Sequence, residues 1–267
     1  VTTTFFTSAN QGYEPFVLPY MASVLINNPD AVVEICLERP LAFEVANADA
    51  LALLREWFGP KVTVRRGAFQ GLAPNSVRFL ETPSQLTEYT YIGDIDILVL
   101  EHLTPKHLAQ MKKTGLPFSN IIRPTTPPRL SGRHFTESSA HYPLPTLEGV
   151  DIRKVGDENL LYLQVEAKGI GLPDPEVMWR PAHGMHFSHN RPVKRPGTTD
   201  WGIALPLAMA YAQFRDEPRW RELIPMFDRR YLHLLLVLET AIEAHFPEID
   251  LFAGRPPEYS LRSLIAG

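Results

Sequence analysis

Apolar and polar positions switch between two periods along the first hundred residues, and the switching predicts strands alternating with helices. Thr3–Ser8 reads as a strand ending in the polar turn Ala9-Asn10-Gln11-Gly12. Phe16, Val17, Tyr20, Met21, Val24 and Leu25 then recur at helical spacing, the stripe of a buried face, and Asn27-Asn28-Pro29 stops it. Ala31–Leu37 predicts a second strand, Pro40–Phe58 a second helix closed by Gly59-Pro60, and Lys61–Arg66 a third strand. Asn75–Leu86 reads as a helix whose end Pro83 disturbs. Tyr91–Leu100 is the most apolar strand, broken only by Gly93, Asp94 and Asp96. Strands joined by helices of this length form βαβ units, so the expected class is α/β, a mostly parallel sheet with helices on both faces. Ligands meet such sheets beyond the carboxyl ends of the strands. Ser8, Ala9 and Asn10 then fall at the ligand edge, and Asp94 and Asp96 join them if their strand ends near Gly93.

From Leu116 to Val150 the pattern gives way to Pro-, Ser- and Thr-rich sequence, including Pro124–Pro128 and Tyr142-Pro143-Leu144-Pro145. A stretch that long either lines a site or is a linker. Ile203–Phe214 and Arg219–Ala244 predict closing helices, and no repeat is visible. The expected organisation is one domain over 1–267, with a ligand-binding half at 1–115, a second half at 116–200 and a helical subregion at 201–267.

Composition narrows the function classes. At 267 residues and 45% hydrophobic content the chain buries a sizeable core. A net charge of −4 argues against the broad basic surface of a duplex-binding protein, so no nucleic-acid partner is expected. The single cysteine, Cys36, excludes an internal disulfide, and its apolar surroundings make it a core residue rather than a nucleophile. No apolar run reaches the ~18–20 residues of a membrane span, and Val1-Thr2-Thr3-Thr4 has no signal-peptide character. A cytoplasmic location is expected, with at most peripheral contact at the inner face of the membrane.

Two segments carry candidate chemistry. In Gly93-Asp94-Ile95-Asp96, alternate strand positions put both carboxylates on one face, where they repel unless a cation compensates. Hard oxygen ligands suit Mn²⁺ or Mg²⁺, ions that neutralise a diphosphate. A solvated strand end is the alternative reading. The second segment is His183-Gly184-Met185-His186-Phe187-Ser188-His189-Asn190-Arg191, followed by Lys194 and Arg195, which combines metal-ligating and anion-binding side chains without matching a zinc signature. The chain has no dinucleotide fingerprint, P-loop or nucleophile elbow. Polymerase-β-type nucleotidyltransferases carry a similar Asp-Ile-Asp strand, but they place a Gly-Ser turn upstream, where this chain has Glu81-Thr82-Pro83-Ser84-Gln85.

The order of these motifs resembles the GT-A glycosyltransferases, particularly the retaining glycogenin-like and bacterial lipopolysaccharide galactosyltransferase group. Phe5-Phe6-Thr7-Ser8-Ala9-Asn10 with Tyr13 is similar to that group's donor-binding first strand, and Asn75-Ser76-Val77-Arg78-Phe79 to its Arg-bearing helix. Gly93-Asp94-Ile95-Asp96 stands where the group keeps its D-x-D. Leu130-Ser131-Gly132-Arg133-His134, Gly156-Asp157-Glu158-Asn159 and His186-Phe187-Ser188 resemble later motifs in the same order. Glu158 replaces the group's glutamine, and Arg191 its lysine.

The resemblance implies a GT-A fold and a glycosyltransferase of hexosyltransferase type. Its expected partners are a nucleoside diphosphate sugar, such as a UDP-sugar, and a glycan or glycolipid acceptor, as in polysaccharide biosynthesis. Asp94, Asp96 and His186 are the expected ligands of Mn²⁺ or Mg²⁺. The expected donor contacts are Thr7, Ser8, Ala9, Asn10, Tyr13, Arg78, Asp94 and Ile95, then Asn190, Arg191, Lys194 and Arg195. Arg133 and His134 are expected to meet the acceptor. Asp157, then Glu158, is the expected carboxylate near the reacting carbon, with retention of configuration. A nucleotidyltransferase and a non-catalytic nucleotide-sugar-binding protein stay open as alternatives.

Overall fold

The computed structural model describes residues 1–181, 183–187, 197–251 and 261–266. Along the chain, β1 (Thr3–Ala9) leads into α1 (Val17–Asn27), β2 (Ala31–Leu37), the pair α2 (Pro40–Ala46) and α3 (Ala48–Phe58), and β3 (Val62–Arg66). One helical turn, α4 (Val77–Leu80), precedes β4 (Tyr89–Ile92) and the short β5 (Ile97–Leu98). There follow α5 (Leu103–Thr114), β6 (Phe118–Ser119), the hairpin β7 (Ile122–Arg123) and β8 (Arg129–Leu130), β9 (His134–Glu137), α6 (Ser138–His141) and α7 (Asp157–Lys168). After β10 (Met185–His186) come α8 (Leu205–Arg215), α9 (Pro218–Leu223), α10 (Arg229–His245) and α11 (Leu261–Ala266).

The main sheet has the order β3-β2-β1-β4-β9-β6. Its first four strands are parallel, and β9 runs antiparallel to β4 and β6. Every residue of β1 is buried, as a strand covered on both faces requires. Alternation sends Phe5 into the core with α1 and α3, and Phe6 to the opposite face with Cys36 and Val77 of α4. The α/β class with helices on both faces is therefore present. The C-terminal helices extend the larger core: Tyr231 of α10 touches Phe16 and Phe187, with ring centroids 5.8 and 5.2 Å away. No helix among the described residues is long and apolar enough to cross a membrane.

Five sequence expectations need correction. Tyr91–Leu100 is not one strand, since β4 ends at Ile92 and β5 leaves the sheet to pair with β10. The helix expected over Asn75–Leu86 shrinks to α4, because Pro83 blocks it and the Glu34 carboxylate captures the Ser84 and Gln85 N–H groups at 2.8 and 3.1 Å. Pro40–Phe58 breaks at Asn47, whose side chain donates to the Phe43 carbonyl at 2.8 Å. The stretch 116–150 is not patternless, because it supplies β6 and β9 to the sheet. The break in Arg219–Ala244 falls at Ile224-Pro225-Met226, and Asp228 then caps α10 by accepting from the Arg230 N–H at 2.8 Å.

Candidate metal and donor site

Because β4 pairs with β1 only as far as Ile92 opposite Phe6, the chain turns out of the sheet at Gly93 and carries Asp94–Asp96 beyond the strand ends. The Thr7 hydroxyl donates to the Gly93 carbonyl at 2.8 Å and holds this turn. The third ligand candidate arrives by strand pairing, with His186 of β10 opposite Ile97 of β5 and the Phe187 N–H donating to the Asp96 carbonyl at 2.8 Å. The ribbon needs a glycine at 184, where φ is +117° and a Cβ would stand 2.0 Å from the Leu98 carbonyl oxygen.

The result is a compact donor set. His186 Nε2 lies 3.3 Å from Asp96 Oδ1 and 3.7 Å from Asp94 Oδ2, and one ligand atom from each residue lies within 4.8 Å of the others. Arg78 Nη2 bridges Asp94 Oδ1 at 2.8 Å and Asp157 Oδ2 at 3.0 Å. Burial opposes ionisation of Asp94, but the Arg78 guanidinium and His186 overcome it and hold its carboxyl far below the usual range. Burial, with Asp94 alongside, pushes Asp96 up, and burial also raises Asp157. Two carboxylates and an imidazole are a ligand set suited to a hard or borderline divalent cation.

A cavity of about 370 Å³ opens in front of this set. Among the expected residues, Ser8, Ala9, Asn10, Tyr13, Arg78, Asp94, Ile95, Asp96 and His186 line it, and Pro74 and Asn75 complete the wall. Asn10 Oδ1 and Arg78 Nε are buried there without a hydrogen-bond partner among the described residues. Tyr13 keeps 46% of its surface exposed at the mouth.

Other expected residues sit elsewhere. Thr7 is buried behind the turn and contributes support rather than a cavity wall. His134 is fully buried, its Nδ1 3.2 Å from Asn120 Nδ2 and its ring beside Phe118 and His141, so it does not present its ring to an acceptor. Glu158 is already engaged: it accepts from the Gly132 N–H at 2.9 Å and pairs with Arg123 at 3.3 Å and Arg129 at 3.2 Å. Arg133 is half-buried at the end of the same hairpin. Asn190, Arg191, Lys194 and Arg195 lie outside the described residues. Sequence reasoning missed Arg180, which donates to the Ser131 hydroxyl, because the Pro-rich segment around it has no period and no motif.

No family model matches the chain, and no curated protein matches it. Among solved structures the chain is similar to the galactosyltransferase LgtC, determined in complex with donor and acceptor sugar analogs. The similarity covers 66% of this chain and 68% of that one at 13% identity, with a TM-score of 0.37. A likeness that distant assigns no activity to this chain.

Proposed function

We propose that the protein is a metal-dependent glycosyltransferase of the GT-A type, moving a hexose from a nucleoside diphosphate sugar to a glycan or glycolipid acceptor with retention. The observation that carries this reading is the convergence of Asp94, Asp96 and His186 on one point, at the carboxyl ends of parallel strands and in front of a cavity. The order of sequence motifs described above supports the same reading. Asp94, Asp96 and His186 would hold Mn²⁺ or Mg²⁺, which supplies charge neutralisation for a departing diphosphate.

The remaining groups are arranged for recognition and charge control. Asn10, whose buried carbonyl oxygen has no partner among the described residues, and Tyr13, with an exposed ring, are suited to a nucleoside. Arg78 keeps Asp94 ionised and fixes Asp157 on the same guanidinium. Among the described residues Asp157, unlike Glu158, is tied to one side-chain cation, so its carboxylate is the better placed to stabilise positive charge on a reacting sugar.

Calorimetric titration with UDP and other nucleoside diphosphates tests the reading directly. Binding is expected with Mn²⁺, lost in EDTA, and weakened at least about tenfold by Asp96→Asn. Product analysis with UDP-sugars is expected to show sugar transfer or slow donor hydrolysis. Nucleotide transfer from an NTP, or diphosphate binding indifferent to metal, would overturn it.

A further inference from the structure

The turn after β1 contributes to two cavities. Asn10 and Tyr13 line the one in front of the metal set, whereas Glu14 and Pro15 line a second, of about 470 Å³, whose lining has no residue in common with the first. The Tyr13 and Glu14 N–H groups both donate to the Asn10 carbonyl, at 2.9 and 3.1 Å, and fix the turn. The Gln11 N–H donates to Glu38 Oε2 at 3.3 Å and ties the turn to the chain entering α2. That helix supplies the next wall, since Arg39, Ala42, Phe43 and Ala46 fall at helical spacing on one face. The segment leading into α10 closes the cavity with Phe227, Asp228 and Arg230. The volume lies within the range of about 300–1,000 Å³ typical of small-molecule sites.

The lining selects against a charged ligand. It holds two carboxylates, Glu14 and Asp228, and two guanidinium groups, Arg39 and Arg230, so its formal charges cancel. One pair is closed: Asp228 accepts from the Arg230 backbone N–H at 2.8 Å and meets its guanidinium at 3.1 Å. The other two groups are open. Glu14 Oε1 is shut off from solvent and has no hydrogen-bond donor among the described residues, and none of those residues engages the Arg39 side chain in a hydrogen bond or ion pair. A surface arginine without a partner is ordinary, but a shielded carboxylate oxygen is costly unless a donor reaches it. The terminal torsion of a glutamate is soft, so a donor entering the cavity can draw the carboxylate round. An ammonium is a poor donor here, because Arg230 is close enough to feel the Glu14 charge and would repel it. A hydroxyl has no charge to repel, and it both donates to Glu14 and accepts from Arg39. Buried Leu18, Phe43 and Phe227 add apolar walls for the C–H face of a ring.

We infer that this cavity is a second ligand site, which takes a neutral, hydroxyl-rich sugar. Its use in docking the acceptor glycan rests on the transferase reading; the class of ligand rests on the cavity alone. A glycan held here lies against the same turn as the donor cavity without filling that cavity.

The experiment uses the full chain labelled with ¹³C-methyl methionine. Met226 lines the cavity, and its signal is identified by its loss in Met226→Leu. Methyl glycosides of glucose, galactose and mannose, in both anomers, are titrated to about 100 mM, well above the millimolar constants of weak small-molecule sites. Leucine and butylamine serve as ammonium-bearing controls. At least one glycoside is expected to move the Met226 signal saturably, and the controls to leave it in place. Glu14→Gln is expected to weaken that binding at least about tenfold, as a charged acceptor is lost. Ala46→Phe, at an exposed helical position, is expected to fill the cavity and abolish the shift. A Met226 signal unmoved by every glycoside would overturn the inference, as would a shift that survives Ala46→Phe. A larger shift with leucine or butylamine would overturn the sugar class and assign the cavity to an ammonium ligand. Loss of the shift on saturation with UDP and Mg²⁺ would overturn the separateness of the site. Calorimetry with UDP on the same samples keeps the two readings apart. UDP binding with a silent Met226 refutes the second site alone, and a Met226 response without UDP binding refutes the transferase reading alone.

Discussion

Arg78 is the residue on which the candidate site turns, because one buried guanidinium nitrogen serves two carboxylates that would otherwise repel. It makes Asp157 and Glu158, adjacent in sequence, different in role. Asp157 shares Arg78 with Asp94, whereas Glu158 ties the β7–β8 hairpin and Gly132 to the start of α7. Asp157→Asn is therefore expected to lower turnover by roughly 10²-fold while leaving the urea midpoint nearly unchanged, the signature of a lost transition-state charge. Glu158→Gln is expected to do the reverse, costing about 1–3 kcal/mol of stability as charged donors lose their acceptor, with a smaller effect on turnover. Steady-state kinetics and urea unfolding on the two variants decide the matter, and an exchange of the two phenotypes would exchange the assignments.

At the scale of elements, α5, β9 and α6 bring uncharged imidazoles into the interior. Burial pushes His107 down to about 3 and His141 down to about 4, while unfolded histidine titrates near ~6.5. Below ~6.5 the unfolded chain binds protons that the native chain refuses, so stability must fall as pH drops toward 4, by up to about 1.4 kcal/mol per pH unit for each such histidine. Urea midpoints at pH 7 and pH 5 are expected to show that fall, and His107→Gln, which retains a donor for Ser119, to flatten it. A midpoint equal at both values would mean these rings protonate in place. None of this was legible beforehand, since β6 and β9 are too short to express a period and the stretch around them reads as irregular. The first half of the chain was legible for the opposite reason. β1, β2, α1 and α3 repeat their pattern long enough to be recognised, and Ser8, Ala9 and Asn10 follow from where a parallel strand ends. Asp94 and Asp96 were legible as a pair but not as a turn, because the apolar residues of β4 and β5 on either side mimic one continuous strand. Arg180 was invisible, since its partners come from a hairpin distant in sequence.

For the whole molecule, the aromatic contacts of Phe16, Phe187 and Tyr231 join the first helix, the segment after β10 and the C-terminal helices in one core. The candidate metal set also joins distant parts of the chain: Asp94 and Asp96 follow the fourth strand, and His186 arrives only when β10 docks on β5. Gly184→Ala should displace that docking through the Leu98 carbonyl and weaken Mn²⁺ binding by about 10–100-fold without altering a ligand. Calorimetry on the variant checks it, and an unchanged affinity would mean the ribbon adjusts freely. There is also a kinetic consequence. A triad completed by such distant segments is expected to form only after the folding barrier is crossed, so Mn²⁺ at about 100 times its Kd should slow unfolding by about 100-fold and leave the refolding rate unchanged. Stopped-flow chevrons with and without the ion would show only the unfolding arm moving. A bound ion of this kind would set how long each molecule lasts, and would have no part in how quickly it is made.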